Sequence, residues 1–410
     1  MNESTCRFCG TELACSFANL GDSPLANSFL SPLSDNPNEE FFPLHAFVCS
    51  HCFLVQLKEY AKPERIFQDY PYFSSYSDSW LEHVSKYVNL VASRFSLDEN
   101  SQVIEIASND GYLLQYFKSK KIPAIGIEPA ANIAEAAIRK GIETRIQFFS
   151  SETAKNLLNE GLQADLIIAN NVLAHVPQLN NFIEGLKILL SDKGVITIEF
   201  PHLLELIKGS QFDTIYHEHF SYFSLMTAKD IFAAHNLKIF DVDQLPHHGG
   251  SLRIYVCHVE NENKMTSRRV FDLLEYEAES GLSNIETYLN FEDRIRNTKE
   301  ELTSLLNQLK RDGKKIVGFG APAKGNTLLN YCGIGKEILE YTVDETPFKQ
   351  GLLLPGTHIP IFSMEKIKET RPDYILILPW NWRNEIIKKL SDTREWGTKF
   401  IIAIPRVEVI

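Results

Sequence analysis

The chain is 410 residues long, 44% apolar and 23% charged, with a net charge of -12. That length predicts roughly two to four domains, each large enough to bury its own core. No apolar run approaches the ~20 residues of a membrane-spanning helix, and the opening MNESTCRFCG lacks the basic-then-apolar form of a secretory signal. The acidic balance argues against a nucleic-acid groove but leaves room for a local basic phosphate pocket. The expected setting is the cytoplasm, with no nucleic-acid or membrane partner. The oligomeric state is left open, a monomer included.

Residues 1–60 show little helical periodicity and hold two Cys-x-x-Cys knuckles, Cys6/Cys9 and Cys49/Cys52. Seven cysteines are too few for a disulfide scaffold at this length, and their grouping reads as metal chemistry. Four thiolates would close the tetrahedral shell of a zinc ion, which makes the site structural. His45, His51 and Cys15 lie near enough in sequence to substitute. The presence of two knuckles argues against merely reduced buried thiols, and a redox dithiol lacks its strand–helix context. Residues 61–95 are rich in tyrosine and serine and then turn helical at SWLEHVSKYVNLVASRF.

From residue 101 to 260 apolar strands alternate with helical stretches. The predicted strands are QVIEIA, PAIGIEP, ADLIIANN, GVITIEF and SLRIYVCH, with AAIRKGIET leading towards another. This rhythm predicts a doubly wound, Rossmann-like α/β sheet. VIEIASNDGYLLQYF reads as strand, tight turn, helix. Its small residues Ala107, Ser108 and Gly111 let the backbone approach a ligand, and the helix start suits a carboxylate or phosphate. Asn109 and Asp110 fill the turn where a dinucleotide fingerprint would carry glycine. Glu105, inside the strand, suits an amino group. Glu128, followed by Pro129, ends the next strand, where an acid takes ribose hydroxyls. Asn170 and Asn171 end a third. Three strand ends therefore point polar groups at one crevice. The pattern fits a nicotinamide enzyme or a methyltransferase; Glu105 and the missing GxGxxG favour the methyl donor S-adenosylmethionine.

QFDTIYHEHFSYFS places Tyr216, His217, Glu218, His219 and Tyr222 after the GVITIEF strand. The HEH order lacks the i, i+4 spacing of a helical zinc site. It suits general-base work, because an imidazole near pKa ~6.5 can take a proton at neutral pH and a carboxylate can orient it. Residues 261–310 read as a polar helical connector. A second, smaller α/β rhythm then fills 311–410, with KKIVGFGAPAKGNTLLNYC, EYTVDET, DYILILPW and KFIIAIPR. Lys324 sits in a strand-to-helix turn suited to a diphosphate, with Asn326 and Thr327 beside it; the Walker order is absent. Asp344 follows a strand and is placed to read a sugar or base. LPWNWR offers Trp380 for stacking, Asn381 for hydrogen bonding and Arg383 for charge, with core packing the plainer reading of its tryptophans.

Taken together, these motifs closely resemble the sugar 3-C-methyltransferases of deoxysugar pathways. The resemblance spans nearly the whole length: the two cysteine knuckles, YFSSYSDSW, EIASNDGYLL, YHEHFSYFS, HHGGSLR and GFGAPAKGNTLLN. It implies a zinc module (1–60), a methyltransferase domain with a tyrosine-rich lead (61–260), a helical connector (261–310) and a C-terminal α/β domain (311–410). It further implies S-adenosylmethionine, a structural zinc, and a nucleotide-linked 4-keto-6-deoxy sugar lying between the two α/β domains. Whether the carrier is dTDP or GDP is not fixed. On this resemblance His219 removes the proton at C-3, next to the ketone, giving an enolate that takes the methyl group. Tyr216 and Glu218 orient His219 or bond the sugar, and Tyr70 and His175 hold the keto oxygen or a hydroxyl. Ser77 and Ser79 bind the methionine part of the donor. Tyr76, Tyr222, His247 and His248 border the sugar. An NAD-dependent nucleotide-sugar oxidoreductase or epimerase is the alternative, but neither candidate loop has the dinucleotide form. A zinc-stabilised scaffold is opposed by the chemical density of YHEHFSYFS.

Overall fold

The computed structural model describes residues 4–32, 39–60, 74–76 and 78–410. The N-terminal module is an antiparallel sheet of β1 (Cys15–Ser23), β2 (Phe42–Val48) and β3 (Val55–Leu57). In β2 the buried side chains are Leu44, Ala46 and Val48, the two-residue period of a strand with one face on a core. A fourth strand, β9 (Ser221–Tyr222), pairs with β3 through Val55 and Tyr222. It comes from the YHEHFSYFS segment itself.

The central domain has seven strands: β4 (Val103–Ile106), β5 (Ala124–Ile127), β6 (Thr144–Arg145), β7 (Ala164–Asn170), β8 (Leu190–Pro201), β10 (Leu237–Leu245) and β11 (Ser251–His258). Their spatial order is β6-β5-β4-β7-β8-β11-β10, with β11 antiparallel to both neighbours. Helices cover the sheet, so its inner strands are largely apolar and buried on both faces; all of β4 is buried, Glu105 included. The five predicted strands are present. β6 is the further strand that AAIRKGIET leads towards, whereas β10 is not among the expectations, because Asp241 and Asp243 interrupt its apolar pattern. Arg269 pairs with both, and Arg94 with Asp241, so distant cations offset the charge. Gly126 on β5 is required by a close approach: a Cβ there would lie 2.2 Å from Ser108 Oγ in the loop after β4.

The C-terminal sheet contains β12 (Ile316–Phe319), β13 (Thr342–Val343), β14 (Ile361–Phe362), β15 (Tyr374–Ile377), β16 (Lys399–Ile402) and β17 (Glu408–Val409). The order is β14-β13-β12-β15-β16-β17, parallel except for β17. Between the two sheets run helices Arg268–Glu279, Ile285–Leu289 and Phe291–Arg311. The last is more than a connector. Phe291 stacks on Phe17 of β1 with centroids 4.6 Å apart, and Ile295, Leu302 and Leu306 join the N-terminal sheet to the C-terminal core. Cys6, Cys49 and Cys52 pack instead into the core of the central domain. The small module is thus wedged between the two larger ones. No helix among the described residues is long and apolar enough to cross a membrane.

The parallel strands of each α/β sheet reverse their order once, between β4 and β7 and between β12 and β15. Such reversals leave a crevice at the strands' carboxyl ends. Loops from both crevices line one cavity of about 1230 Å³, and the N-terminal module adds Asn27, Phe29 and Glu59. That exceeds the roughly 300–1,000 Å³ that holds one small ligand, so there is room for two.

Candidate active site

After β4 the chain passes through left-handed conformations at Ala107 (φ 53), Asn109 (φ 48) and Gly111 (φ 74). The first two are costly for residues with a Cβ, and the turn is held by bonds on each side. Asn109 N–H donates to Glu128 Oε2 at 2.9 Å, and Asn109 Oδ1 accepts from Ser74 N–H at 2.9 Å. Glu128 Oε1 accepts from Ala130 N–H at 2.9 Å. Burial raises the Glu128 carboxyl above its ordinary value, and these two donors pull the other way. Ala107, Asn109, Glu128 and Pro129 line the cavity, with Asn170 and Asn171 from the end of β7. Both polar ends of the Asn170 side chain are buried without a hydrogen-bond partner among the described residues. A polar ligand would satisfy them, and the surrounding acid and narrow loop fit a nucleoside. Glu105 lies just behind this wall. Burial holds its carboxyl well above the usual range, Tyr112 offsets this in part, and Glu128 and Asp110 add to it. Asp110 faces away, paired with Lys140 at 2.8 Å.

The segment after β8 carries the densest chemistry. His219 Nδ1 lies 3.0 Å from the Thr214 carbonyl oxygen. A carbonyl only accepts, so Nδ1 carries the proton and Nε2 of the neutral ring keeps its lone pair. The rings of Tyr216 and His175 stand 4.1 and 4.7 Å from that of His219. Burial holds His219 well below the usual imidazole value, with His175 pressing the same way and the Thr214 carbonyl opposing. Burial likewise brings His175 down to about 4. Glu218 is pushed up to about 7 by burial, against a hydrogen bond from Asn27 Nδ2 at 2.6 Å. His175, Tyr216, Glu218 and His219 all line the cavity. His217 points elsewhere, its Nε2 3.3 Å from the Phe42 and Pro43 carbonyls of the N-terminal module.

The opposite wall belongs to the C-terminal domain. Lys324 Nζ donates to Asn381 Oδ1 at 3.1 Å and lies 4.7 Å above the Trp380 ring. Helix Ala323–Cys332 begins after Pro322 with no side-chain cap, so its first N–H groups add to the positive end. Lys324, Asn381 and, from the central domain, His248 line the cavity. His247 stands outside that lining, packed on His83 with ring centroids 4.2 Å apart.

Six other candidates build the walls instead of lining them. Trp380 Nε1 donates to Asp213 at 2.7 Å. Asp344 accepts from Ala321 N–H at 2.6 Å and Thr346 N–H at 2.8 Å. Arg383 pairs with Glu408 at 2.7 Å. Asn326 donates to the Ala26 carbonyl at 2.6 Å and Thr327 to the Ile215 carbonyl at 3.2 Å. Tyr222 lies behind His219, 6.0 Å ring to ring. Tyr70 and Ser77, and the side chains of Tyr76 and Ser79, lie outside the described residues. The cavity also draws on Trp80 and Tyr112, from the YFSSYSDSW and EIASNDGYLL motifs, and on residues the sequence did not single out, including Asn27 and Lys349. Lys349 Nζ donates to the Ala321 carbonyl at 2.9 Å. Nothing local to Asn27 or Lys349 marks them. Asp213 was better signposted, being three residues from Tyr216 in the same motif.

The four knuckle cysteines come together with every Sγ within 4.8 Å of the others. Cys6–Cys52, Cys9–Cys49 and Cys9–Cys52 are separated by 3.6, 3.5 and 3.6 Å. A tetrahedral ion with Zn–S bonds of ~2.3 Å sets its sulfurs ~3.8 Å apart, so the tetrad fits zinc. Gln56 Nε2 donates to Cys6 Sγ at 3.2 Å, the outer-shell bond a thiolate ligand calls for. His45 is bonded to Ser16 at 2.8 Å, and it, His51 and Cys15 stand outside the cluster.

Numbered within its own domain, the central sheet runs 3-2-1-4-5-7-6. That order, a nucleoside crevice without a dinucleotide loop, and a closed four-thiolate site define an S-adenosylmethionine-dependent methyltransferase with a structural zinc. The comparisons with known proteins agree. A C-methyltransferase C-terminal domain matches residues 246–405, a zinc binding domain residues 6–67, and a methyltransferase domain residues 80–242. The C-methyltransferase NovU of Streptomyces niveus is 35% identical over 405 residues, covering 99% of this chain and 96% of that one. The chain belongs to this family of C-methyltransferases, the one its motifs resemble, and the nicotinamide alternative is set aside. Among solved structures, an S-adenosylmethionine-dependent methyltransferase from Clostridium acetobutylicum is 11% identical, covering 43% of this chain and 92% of that one with a TM-score of 0.35. Magnesium protoporphyrin IX methyltransferase from Synechocystis, with bound SAH, is 13% identical, covering 43% and 83% with a TM-score of 0.35.

Proposed function

We propose that this C-methyltransferase acts on a nucleotide-linked 4-keto-6-deoxy sugar, dTDP- or GDP-carried, and methylates C-3 through an enolate. The observation that carries the reading is the His219 tautomer. The ring that lines the cavity has its proton committed to the Thr214 carbonyl and a lone pair left on Nε2. Because burial keeps the ring neutral, it is ready to accept a proton at neutral pH. A weak base suffices only if the developing enolate is stabilised. Tyr216 and His175 stand beside His219 and supply polar groups for the former keto oxygen. Tyr70 is proposed for the same task. Glu218, its carboxyl pushed up to about 7 by burial, orients His219 or bonds a sugar hydroxyl.

Glu128 takes the ribose hydroxyls, Asn170 and Asn171 the polar groups near it, and Ala107 to Asp110 shape the loop. Glu105 answers the amino group from behind the wall, and Ser77 and Ser79 the methionine part. Bound S-adenosylmethionine supplies an electrophilic sulfonium methyl group for the nucleophilic carbon. Lys324 and the open helix start take the diphosphate, with Asn381 and His248 bordering the nucleoside and sugar. Tyr76 borders the sugar too; Trp380, Asp344, Arg383, Asn326, Thr327 and Tyr222 shape its pocket from behind.

Mass spectrometry after incubating S-adenosylmethionine with a mixture of nucleotide keto sugars tests the substrate class. One sugar should gain one methyl on carbon. Methylation on oxygen or nitrogen, or of no sugar at all, overturns the reading. His219→Ala should abolish turnover while S-adenosylhomocysteine still binds; retained turnover would remove His219 from the base role.

A further inference from the structure

Asp213 belongs to neither the donor wall nor the substrate wall, yet it is completely buried. It lies in the 3-10 turn Phe212–Thr214, immediately before the carbonyl that fixes the His219 tautomer. One carboxylate oxygen, Oδ2, accepts from Trp380 Nε1 at 2.7 Å; the other, Oδ1, is buried with no hydrogen-bond partner among the described residues. Lys324 is the cation that faces it, and the two charges favour each other. A buried carboxylate is costly unless it is hydrogen-bonded and faces a cation, and Trp380 and Lys324 meet those needs here.

The turn is gripped a second time by the C-terminal domain, since Thr327 Oγ1 on helix Ala323–Cys332 donates to the Ile215 carbonyl at 3.2 Å. The seam is tight. Gly249, at φ 87, sits where an added Cβ would come within 2.6 Å of the Trp380 ring. The two grips fall on either side of Thr214. A rotation of that peptide would withdraw the carbonyl from His219 Nδ1 and free the ring to turn or change tautomer.

We propose that Asp213 is a positioning residue through which the C-terminal domain, by way of Trp380 and Lys324, holds the Thr214 carbonyl and so keeps His219 in its proton-accepting tautomer. The inference rests on the reading of His219 as the base. It assigns the C-terminal domain a part in proton abstraction in addition to substrate binding. Lys324 then serves two anions, Asp213 within the protein and the diphosphate of the substrate.

The test separates proton removal from methyl transfer. In D2O with S-adenosylhomocysteine in place of the donor, the wild-type enzyme should exchange the acidic sugar C–H for deuterium. Asp213→Ala and Trp380→Phe should slow that exchange and lower kcat about 10²-fold, the scale of a misplaced reacting group. KM for the sugar and affinity for S-adenosylhomocysteine should change less than about threefold, a window well under one tenfold step in affinity. Asp213→Asn keeps an acceptor for Trp380 and should recover much of the loss, which a general loss of folding would not show. Exchange and kcat within about twofold of wild type in Trp380→Phe and Asp213→Ala, while His219→Ala is dead, would overturn the Asp213 role and leave the base intact. An active His219→Ala would instead overturn the reading beneath it. If Asp213→Ala does not bind S-adenosylhomocysteine, Trp380→Phe decides alone.

Discussion

Glu218 shows how a single residue's chemistry is set by its surroundings. Burial raises its carboxyl from an ordinary 4.5 to about 7, so the fold prefers the protonated form. A raised carboxyl contributes stability that is present below about 4.5 and is lost as pH rises through about 7. His175, brought down to about 4, works in the opposite direction: its contribution is present above 6.5 and is lost as pH falls through about 4. The two overlap, so the wild-type curve alone is a poor readout. In ligand-free urea unfolding, wild type minus Glu218→Gln should lose up to about 3 kcal/mol across this window. Parallel curves for the two proteins would show that Glu218 is not buried in this way. The motif marked Glu218 as a candidate; only its packing reveals the direction of its shift.

At the scale of elements, two short contacts join modules that the sequence presents as separate. Glu277, on helix Arg268–Glu279, is fully buried and caps helix Leu225–Ala234. It accepts from Leu225 N–H at 2.6 Å, Met226 N–H at 2.8 Å and His202 Nε2 at 2.7 Å. Glu277→Ala strands these donors and should cost about 3–5 kcal/mol, measured by chemical unfolding. The zinc tetrad is the second join, because its cysteines pack into the methyltransferase core and β3 carries β9 of the YHEHFSYFS segment. Cys49→Ser should leave less than one zinc per chain by metal analysis and lower the melting temperature. Unchanged zinc and melting would remove Cys49 from the ligand set. The knuckles were legible from spacing alone. The β3–β9 pairing was not, since Val55 and Tyr222 lie far apart in the chain and no local pattern marks them as partners.

For the whole molecule, the cavity belongs to no single domain, and its two halves should fail separately. Lys324→Met should weaken binding of dTDP or GDP about 10- to 100-fold, the scale of a lost bond to a charged group, while S-adenosylhomocysteine binding in calorimetry stays within about twofold. Equal loss of both ligands would argue against separate subsites. By itself the sequence determined most of the elements and the chemistry they carry: apolar strands alternating with helical stretches in residues 101–260 and 311–410, the cysteine knuckles, and the polar strand ends at Glu128 and Asn170. These depend on local periodicity and residue type, which short-range physics sets. Only the tertiary structure decided which candidates meet. It turned His217, Asp344 and Arg383 into structural partners, brought Asn27 to Glu218, and set Asp213 against Trp380 across 167 positions of chain. The reason is physical: a side chain's partner is fixed by the packing of distant elements, where burial and desolvation, absent from any local window, decide both geometry and charge.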